Sequence, residues 1–206
     1  GPRAGHPLAA EHVRLGRQKE LDSLMRHKVV EEVRNGGEGK HVQGGWVEDY
    51  KNYPEVRSRF VAKQVAHGQR EDVTQSTPAL LVFRLLLALA ACGFVGADAC
   101  FAVFDISVAF LHSVMDECVF VHPPRGEGLV RPGFCWRLRR AMYGTRRASR
   151  LWADRVRLVL ERAGCRTLRT MSMVFWHPVV RFVLAIWGDD FGAIGSKAAL
   201  DSLERI

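Results

Sequence analysis

Three stretches of the chain place apolar side chains at the three- and four-residue spacing of an amphipathic helix. Residues 16–33 show this spacing, with a short strand as the alternative for residues 29–33. Residues 78–95 form a nearly continuous apolar run, and residues 148–163 show the clearest apolar stripe. Thr77 stands where it can cap the second of these helices. The pattern predicts three helices, and residues 197–206 begin a fourth.

Shorter apolar stretches, rich in β-branched and aromatic residues, predict strands. They cover residues 41–50, 56–65, 100–105, 117–122, 135–139, 171–176 and 180–187. Helices and strands follow one another without a regular βαβ rhythm, which favours an α+β fold with an antiparallel sheet. Residues 1–15 show no periodicity, so we expect a flexible lead-in there and one folded region over residues 16–206.

Two adjacent acids, Asp189 and Asp190, stand at the predicted turn of a hairpin. Like charges this close are unfavourable unless a cation meets them. A third acid, Asp105, ends an apolar strand, and we expect it to be buried and therefore neutralised, paired or bound to metal. Carboxylate oxygens suit Mg²⁺, and two such ions can activate an attacking oxygen and hold a leaving phosphate. The alternative is a solvated hairpin turn, for which Gly-Asp is a favoured sequence.

The composition fits a folded chain of 206 residues that does not cross a membrane. It is 48% hydrophobic, and its longest apolar run is interrupted by Arg84 and Gly93. Five cysteines at irregular spacing, without a Cys-x-x-Cys pair, predict free thiols and no zinc site. The chain begins Gly1-Pro-Arg-Ala without a charged and apolar leader, so we expect an unsecreted piece of a longer polypeptide.

The net charge of +8 is concentrated in one segment, residues 137–157, which holds eight arginines and one acid, Asp154. Such a dense cluster of positive charge is expected to attract a nucleic-acid phosphate backbone. The alternative is that these arginines lie on a solvated helix face. On the second predicted strand, alternation places Arg57, Arg59 and Lys63 on one face. These cations can bind a triphosphate. For the strand alone, the simpler interpretation is an exposed sheet edge whose charges prevent aggregation.

The order of motifs resembles the reverse transcriptase of copia-type retrotransposons over about residues 14–206. Five segments carry the resemblance: Arg57-Ser-Arg-Phe-Val-Ala-Lys63, Phe104-Asp-Ile-Ser-Val-Ala-Phe-Leu111, Val119-Phe-Val-His-Pro-Pro124, Trp136-Arg-Leu-Arg-Arg-Ala-Met-Tyr-Gly144 and Trp187-Gly-Asp-Asp190. They resemble, in turn, the family's fingers strand, its first catalytic motif, the strand and Pro-Pro turn that follow, the Leu-Tyr-Gly segment and the paired aspartates.

The resemblance implies a right-hand polymerase fold, of which residues 16–206 supply the fingers and a palm whose antiparallel sheet packs on helices. It implies an RNA-directed DNA polymerase of a retrotransposon polyprotein, which joins a deoxynucleotide to a primer 3′-hydroxyl by two-metal nucleotidyl transfer. Asp105, Asp189 and Asp190 would be catalytic. Asp105, Ile106 and Asp189 would bind two Mg²⁺ ions, for which Mn²⁺ can substitute.

The resemblance also assigns binding roles. The incoming dNTP would be held by Arg57, Arg59, Lys63, Phe110, Tyr143 and Gly144, with the Phe110 ring excluding a 2′-hydroxyl. Nucleic acid would be contacted by Arg146, Arg147, Arg150 and Gly188. The implied partners are an RNA template, a DNA primer and the integrase and ribonuclease H domains of the polyprotein, without a membrane, in a cytoplasmic particle or the nucleus.

Four residues depart from the family pattern: Gly188 replaces the usual hydrophobic residue, Trp187 the usual Tyr, Gln64 the usual Gly and Ser149 the usual Pro. Gly188 has no side chain to touch the primer end, and we expect it to loosen the hairpin. The alternative function is an inactive transposon remnant that binds nucleic acid through the arginine-rich segment. A metal-dependent nuclease or phosphatase has less support, because the histidines are scattered along the chain.

Overall fold

The computed structural model describes residues 7–64, 80–168 and 170–206. Its helices are α1 (Ala10–Arg26), α2 (Leu80–Ala91), α3 (Ala148–Arg162) and α4 (Lys197–Leu203), with a short 3-10 helix at Ala109–His112. Its strands are β1 (Val30–Arg34), β2 (Lys40–Asn52), β3 (Glu55–Lys63), β4 (Cys100–Asp105), β5 (Val119–His122), β6 (Phe134–Leu138), β7 (Arg166–Leu168), β8 (Met171–His177), β9 (Phe182–Trp187) and β10 (Asp190–Gly195). The predicted mixture of helices and strands is confirmed.

The chain divides into two compact units. The first comprises Gly1–Asp72 with Phe110–Leu151, and the second comprises Val73–Ala109 with Trp152–Ile206. Each unit contains one five-stranded sheet. Each sheet brings together strands that are distant in sequence.

The sheet of the first unit has the strand order β1-β6-β5-β2-β3. Its described strand pairs are antiparallel except for β2 and β5, which run parallel. Phe60 of β3 and Trp136 of β6 are fully buried, with ring centroids 4.9 Å apart, and anchor the core of this unit. The parallel pair is a departure from the antiparallel pairing that the sequence pattern predicts for the chain.

Helix α1 lies along β3, the last strand of this sheet. Gly16 approaches so closely that a Cβ atom there would lie 2.7 Å from the carbonyl oxygen of Val56. One turn further on, Glu20 accepts a hydrogen bond from the backbone N–H of Phe60 at 3.1 Å. The helix therefore covers a strand edge that could otherwise pair with another chain.

The sheet of the second unit has the order β4-β10-β9-β8-β7, and its described strand pairs are all antiparallel. Val82 and Leu86 of α2 are buried in one cluster with Val174, Ala185 and Ile194 of the sheet. Helix α4 also packs on β10. This unit has the antiparallel sheet and packed helices that the sequence predicts.

Several element bounds differ from the prediction. Helix α1 begins at Ala10, inside the segment 1–15 that was expected to be a flexible lead-in, and it ends at Arg26. Strand β7 has three residues and is too short to show an alternating pattern. Thr77, the predicted helix cap, lies outside the described residues. None of the described helices is long and apolar enough to cross a bilayer.

Candidate active site

The turn between β9 and β10 is a two-residue loop of Gly188 and Asp189, because the flanking Trp187 and Asp190 pair with each other in the ladder. Gly188 has a φ of 69°, and Asp189 is not among the residues with positive φ. This is the type II′ pattern, in which glycine is preferred at the first position. The Trp152 indole N–H donates a 2.7 Å hydrogen bond to the Gly188 carbonyl oxygen. The expectation that Gly188 loosens the hairpin is therefore wrong, since this backbone conformation suits glycine.

The register between β4 and β10 sets the positions of the predicted catalytic acids. Asp190 lies directly opposite Asp105. Residues opposite each other in an antiparallel pair project from the same face of the sheet. Asp189 lies in the adjoining turn, where its carbonyl oxygen accepts a 3.0 Å hydrogen bond from the N–H of Ile106. The structure thus brings all three acids and Ile106 to the same end of the second unit's sheet.

All three of these aspartates are exposed. The expectation that Asp105 is buried is wrong, because Asp105 is the last residue of β4 and β4 is an edge strand. No described lysine or arginine forms an ion pair with any of the three. Among the described residues, no three histidine, cysteine, aspartate or glutamate side chains converge as a preformed metal site. The fit to Mg²⁺ therefore rests on hard oxygen donors and on the cross-strand pair.

Strand β3 alternates between the core and the surface as predicted. The even-numbered side chains from Val56 to Ala62 are buried, and the odd-numbered ones point outward. The Arg59 guanidinium carbon lies 5.8 Å from the centre of the Tyr143 ring. Its Nε atom is buried and has no hydrogen-bond partner among the described residues. A buried guanidinium N–H without an acceptor is suited to a phosphate oxygen.

The other two cations of this strand, Arg57 and Lys63, are exposed. The side chain of Lys63 crosses over Gly45 of β2, where a Cβ atom would lie 2.7 Å from Nζ. Lys63 therefore lies across the neighbouring strand, and a larger residue at position 45 would displace only the flexible end of its side chain.

Phe110, Tyr143 and Gly144 form the rest of the predicted nucleotide site in the first unit. The rings of Phe110 and Tyr143 meet edge to face, with centroids 5.3 Å apart. Gly144 has a φ of 83°, and a Cβ atom there would lie 2.2 Å from the carbonyl oxygen of Ala62. Only glycine tolerates both conditions. Since Tyr143 also contacts Arg59, the structure brings four of the six predicted dNTP residues into one group.

Tertiary structure pairs arginines of the 137–157 segment with acids that are distant in sequence. Arg147 Nη2 lies 2.6 Å from Asp116 Oδ2, and Arg139 forms an ion pair with Glu31. The segment therefore carries less unpaired charge than its sequence implies. The remaining predicted nucleic-acid contacts of this segment are half-buried Arg146 and exposed Arg150.

Sequence reasoning missed two contacts that order these regions. One is the hydrogen bond from Trp152 to Gly188, and the other is a 2.9 Å bond from the N–H of Arg146 to the side-chain oxygen of Gln64. The partners are 36 and 82 positions apart. No local pattern relates residues at such separations, although Gln64 stands out as a departure from the family.

Comparison with known proteins supports the resemblance given by the motifs. Residues 27–202 match the family model described as reverse transcriptase (RNA-dependent DNA polymerase). A transposon Ty5-1 protein of Saccharomyces cerevisiae is 39% identical over 64 residues, which cover 30% of this chain and 21% of that protein. The match thus spans about a fifth of the curated relative's length. The copia-type assignment is confirmed, and the chain belongs to the reverse transcriptase (RNA-dependent DNA polymerase) family.

Proposed function

We propose that this chain supplies the fingers and palm of an RNA-directed DNA polymerase, which adds a deoxynucleotide to a primer 3′-hydroxyl by two-metal nucleotidyl transfer. The observation that carries the proposal is the register that sets Asp190 opposite Asp105, with Asp189 in the adjoining turn. Exposed carboxylates without a cationic partner attract divalent cations. The sheet of the second unit is the proposed palm.

Asp105, Asp189 and the backbone carbonyl of Ile106 would hold two Mg²⁺ ions, with Asp190 supporting Asp105 from the facing strand. When bound, such ions lower the pKa of the attacking hydroxyl and neutralise the triphosphate and the leaving pyrophosphate. The protein keeps the donors in place through the hairpin. The hydrogen bond from Ile106 to Asp189 joins the two acidic segments directly.

In the first unit, Arg57, Arg59 and Lys63 would bind the triphosphate. The buried Nε–H of Arg59 supports this role, because it has no acceptor among the described residues. Phe110, held edge to face against Tyr143, would exclude a ribose 2′-hydroxyl and so select deoxynucleotides. Gly144 permits the close packing of its turn on β3 that fixes Tyr143.

Arg146, Arg147, Arg150 and Gly188 would contact an RNA template paired with a DNA primer. The phosphate backbone is the chemical partner that an arginine-rich segment recognises without sequence preference. As part of a retrotransposon polyprotein, the chain would work beside integrase and ribonuclease H domains, in a cytoplasmic particle or the nucleus.

Primer extension on an RNA template with Mg²⁺ and dNTPs tests the proposal. We expect Asp105→Asn and Asp189→Asn to reduce incorporation by about two orders of magnitude or more, because the metal ligands are lost. Asp201→Asn is the matched control, since Asp201 is an aspartate of the same unit that pairs with Lys197 on the surface. Electron paramagnetic resonance should show reduced Mn²⁺ binding in the two site variants and unchanged Mn²⁺ binding in the control.

Two results would contradict the proposal. One is incorporation that survives both site substitutions. The other is nucleic-acid binding by a chain that neither incorporates dNTPs nor binds Mn²⁺, which is the behaviour of an inactive remnant.

A further inference from the structure

Gln64 makes a side-chain contact that the glycine of the family pattern cannot make. It directly follows β3, and its Oε1 atom accepts a 2.9 Å hydrogen bond from the backbone N–H of Arg146. The bond is partly buried, and Gln64 itself is half-buried. A hydrogen bond shielded from water holds its two segments together better than an exposed one.

This contact is the last of a series that joins the end of β3 to the turn at residues 143–146. The N–H of Ala62 donates to the carbonyl oxygen of Tyr143 at 2.8 Å. The N–H of Gln64 donates mainly to the carbonyl oxygen of Ala62 at 2.9 Å, with a longer second contact to the carbonyl oxygen of Gly144 at 3.4 Å. Those contacts use the backbone alone and are available to many sequences. The bond to Arg146 requires a side-chain acceptor at position 64.

The turn that is held in this way carries the proposed nucleotide-binding group of the first unit. Tyr143 contacts both Arg59 and Phe110, and Gly144 packs on Ala62. If the N–H of Arg146 lost its acceptor, the Ala62–Tyr143 bond would remain, but the Gly144–Arg146 end of the turn would be joined to residue 64 only by the 3.4 Å contact between Gln64 and Gly144. The fraction of molecules with the turn in place would then fall, and the apparent affinity for the nucleotide would fall with it.

We propose that Gln64 is a positioning residue for the incoming nucleotide, which acts by fixing the Tyr143–Gly144 turn against β3 through the backbone of Arg146. The proposal rests on the proposed polymerase function. Gln64 replaces the glycine of the family pattern, and its side chain adds a hydrogen bond to Arg146 that glycine cannot make.

The test compares Gln64→Ala and Gln64→Glu in primer extension, with KM for dNTP and kcat measured separately. We expect Gln64→Ala to raise KM by about 3- to 10-fold with kcat within about 2-fold, the size expected for one lost hydrogen bond. Gln64→Glu keeps an acceptor oxygen and should bring KM back towards the parent value, although its negative charge beside Lys63 opposes full restoration. Gln18→Ala is the matched control, because it removes a glutamine hydrogen bond, to Asp22 on helix α1 of the same unit, far from the turn in sequence.

Calorimetric titration with Mg²⁺·dNTP gives a readout that does not depend on turnover. A higher dissociation constant for Gln64→Ala, with an intermediate value for Gln64→Glu, supports the proposal even if the parent chain incorporates no nucleotide. Such a lack of incorporation would count against the polymerase function alone. The proposal is overturned if Gln64→Ala leaves KM and the dissociation constant unchanged, if Gln18→Ala changes them equally, or if the parent chain binds no nucleotide.

Discussion

The effect of Gly188 on the β9–β10 hairpin is the opposite of what the sequence suggests. As a departure from the family it suggests a weakened hairpin. In the structure it occupies the first position of a type II′ turn with positive φ, where an L-residue with a side chain is strained. A Cβ atom at this position would have no neighbour within 4 Å, so the preference for glycine is conformational and not steric. Glycine therefore stabilises the turn that carries Asp189.

Restoring a side chain at this position should destabilise the second unit. We expect Gly188→Ala to lower the free energy of unfolding by about 1–3 kcal/mol, the cost of holding an ordinary residue in a sparsely populated region of positive φ. Gly188→Asn should cost a similar amount, because the first position of a type II′ turn lies outside the left-handed helical region that asparagine tolerates. Denaturant unfolding measures both, and equal stability of the alanine variant and the parent chain would refute the turn assignment.

At the scale of elements, the packing of α1 on β3 places a carboxylate against the backbone of a strand. Burial raises the pKa of Glu20, while the Phe60 N–H and the neighbouring Arg59 and Arg57 act in the opposite direction. A carboxyl whose pKa is higher in the folded state than in the unfolded state stabilises the fold when protonated. That contribution is lost as pH rises from the unfolded value of 4.5 through the folded value.

Glu20→Gln should remove this pH dependence. The amide oxygen of glutamine can still accept the hydrogen bond from Phe60, and no charge is then desolvated. We expect the variant to gain stability relative to the parent chain as pH rises above 4.5, with the gain complete near neutral pH. Thermal unfolding followed from pH 4 to 7 checks this. A difference that does not vary with pH would show that ionisation of Glu20 is irrelevant to stability.

At the scale of the whole molecule, most of the net charge of +8 lies in the first unit, and ion pairs modify it locally. Binding driven by phosphate contacts depends on salt according to the number of phosphates neutralised. Nucleic-acid binding by a local arginine site and binding by the overall positive charge respond differently to the removal of cations. A local site loses affinity only when its own cations are removed, whereas a general field responds to any equal loss of charge.

Two triple variants separate these cases. Arg146, Arg147 and Arg150 are replaced by alanine in the first, and Arg14, Lys19 and Arg26 of α1 in the second, so that both lose three positive charges. We expect the first variant to reduce the slope of log affinity against log salt by about 2–3 for a primed RNA template. The second should change it by less than about 1. Equal slopes in filter-binding titrations would favour a general charge effect.

Most elements could be predicted because their side chains repeat with a regular period. The outward cations of β3 follow from simple alternation, and helix α3 begins at the predicted residue. The parallel pairing of β2 with β5 could not be predicted, because the residue pattern of a strand does not indicate which other strand it pairs with. The same holds for the exposure of Asp105, which depends on β4 being an edge strand.

The sequence by itself determined the family and the order of the motifs, and it predicted the three acids of the site, since these depend on residue types at short spacing. Only the tertiary structure decided which acid faces which, which arginines are paired with acids, what Gln64 contacts and which conformation Gly188 adopts. Those properties arise from strand register, turn conformation and contacts across many tens of residues. Such relations are set by packing of the whole unit, which local periodicity does not encode.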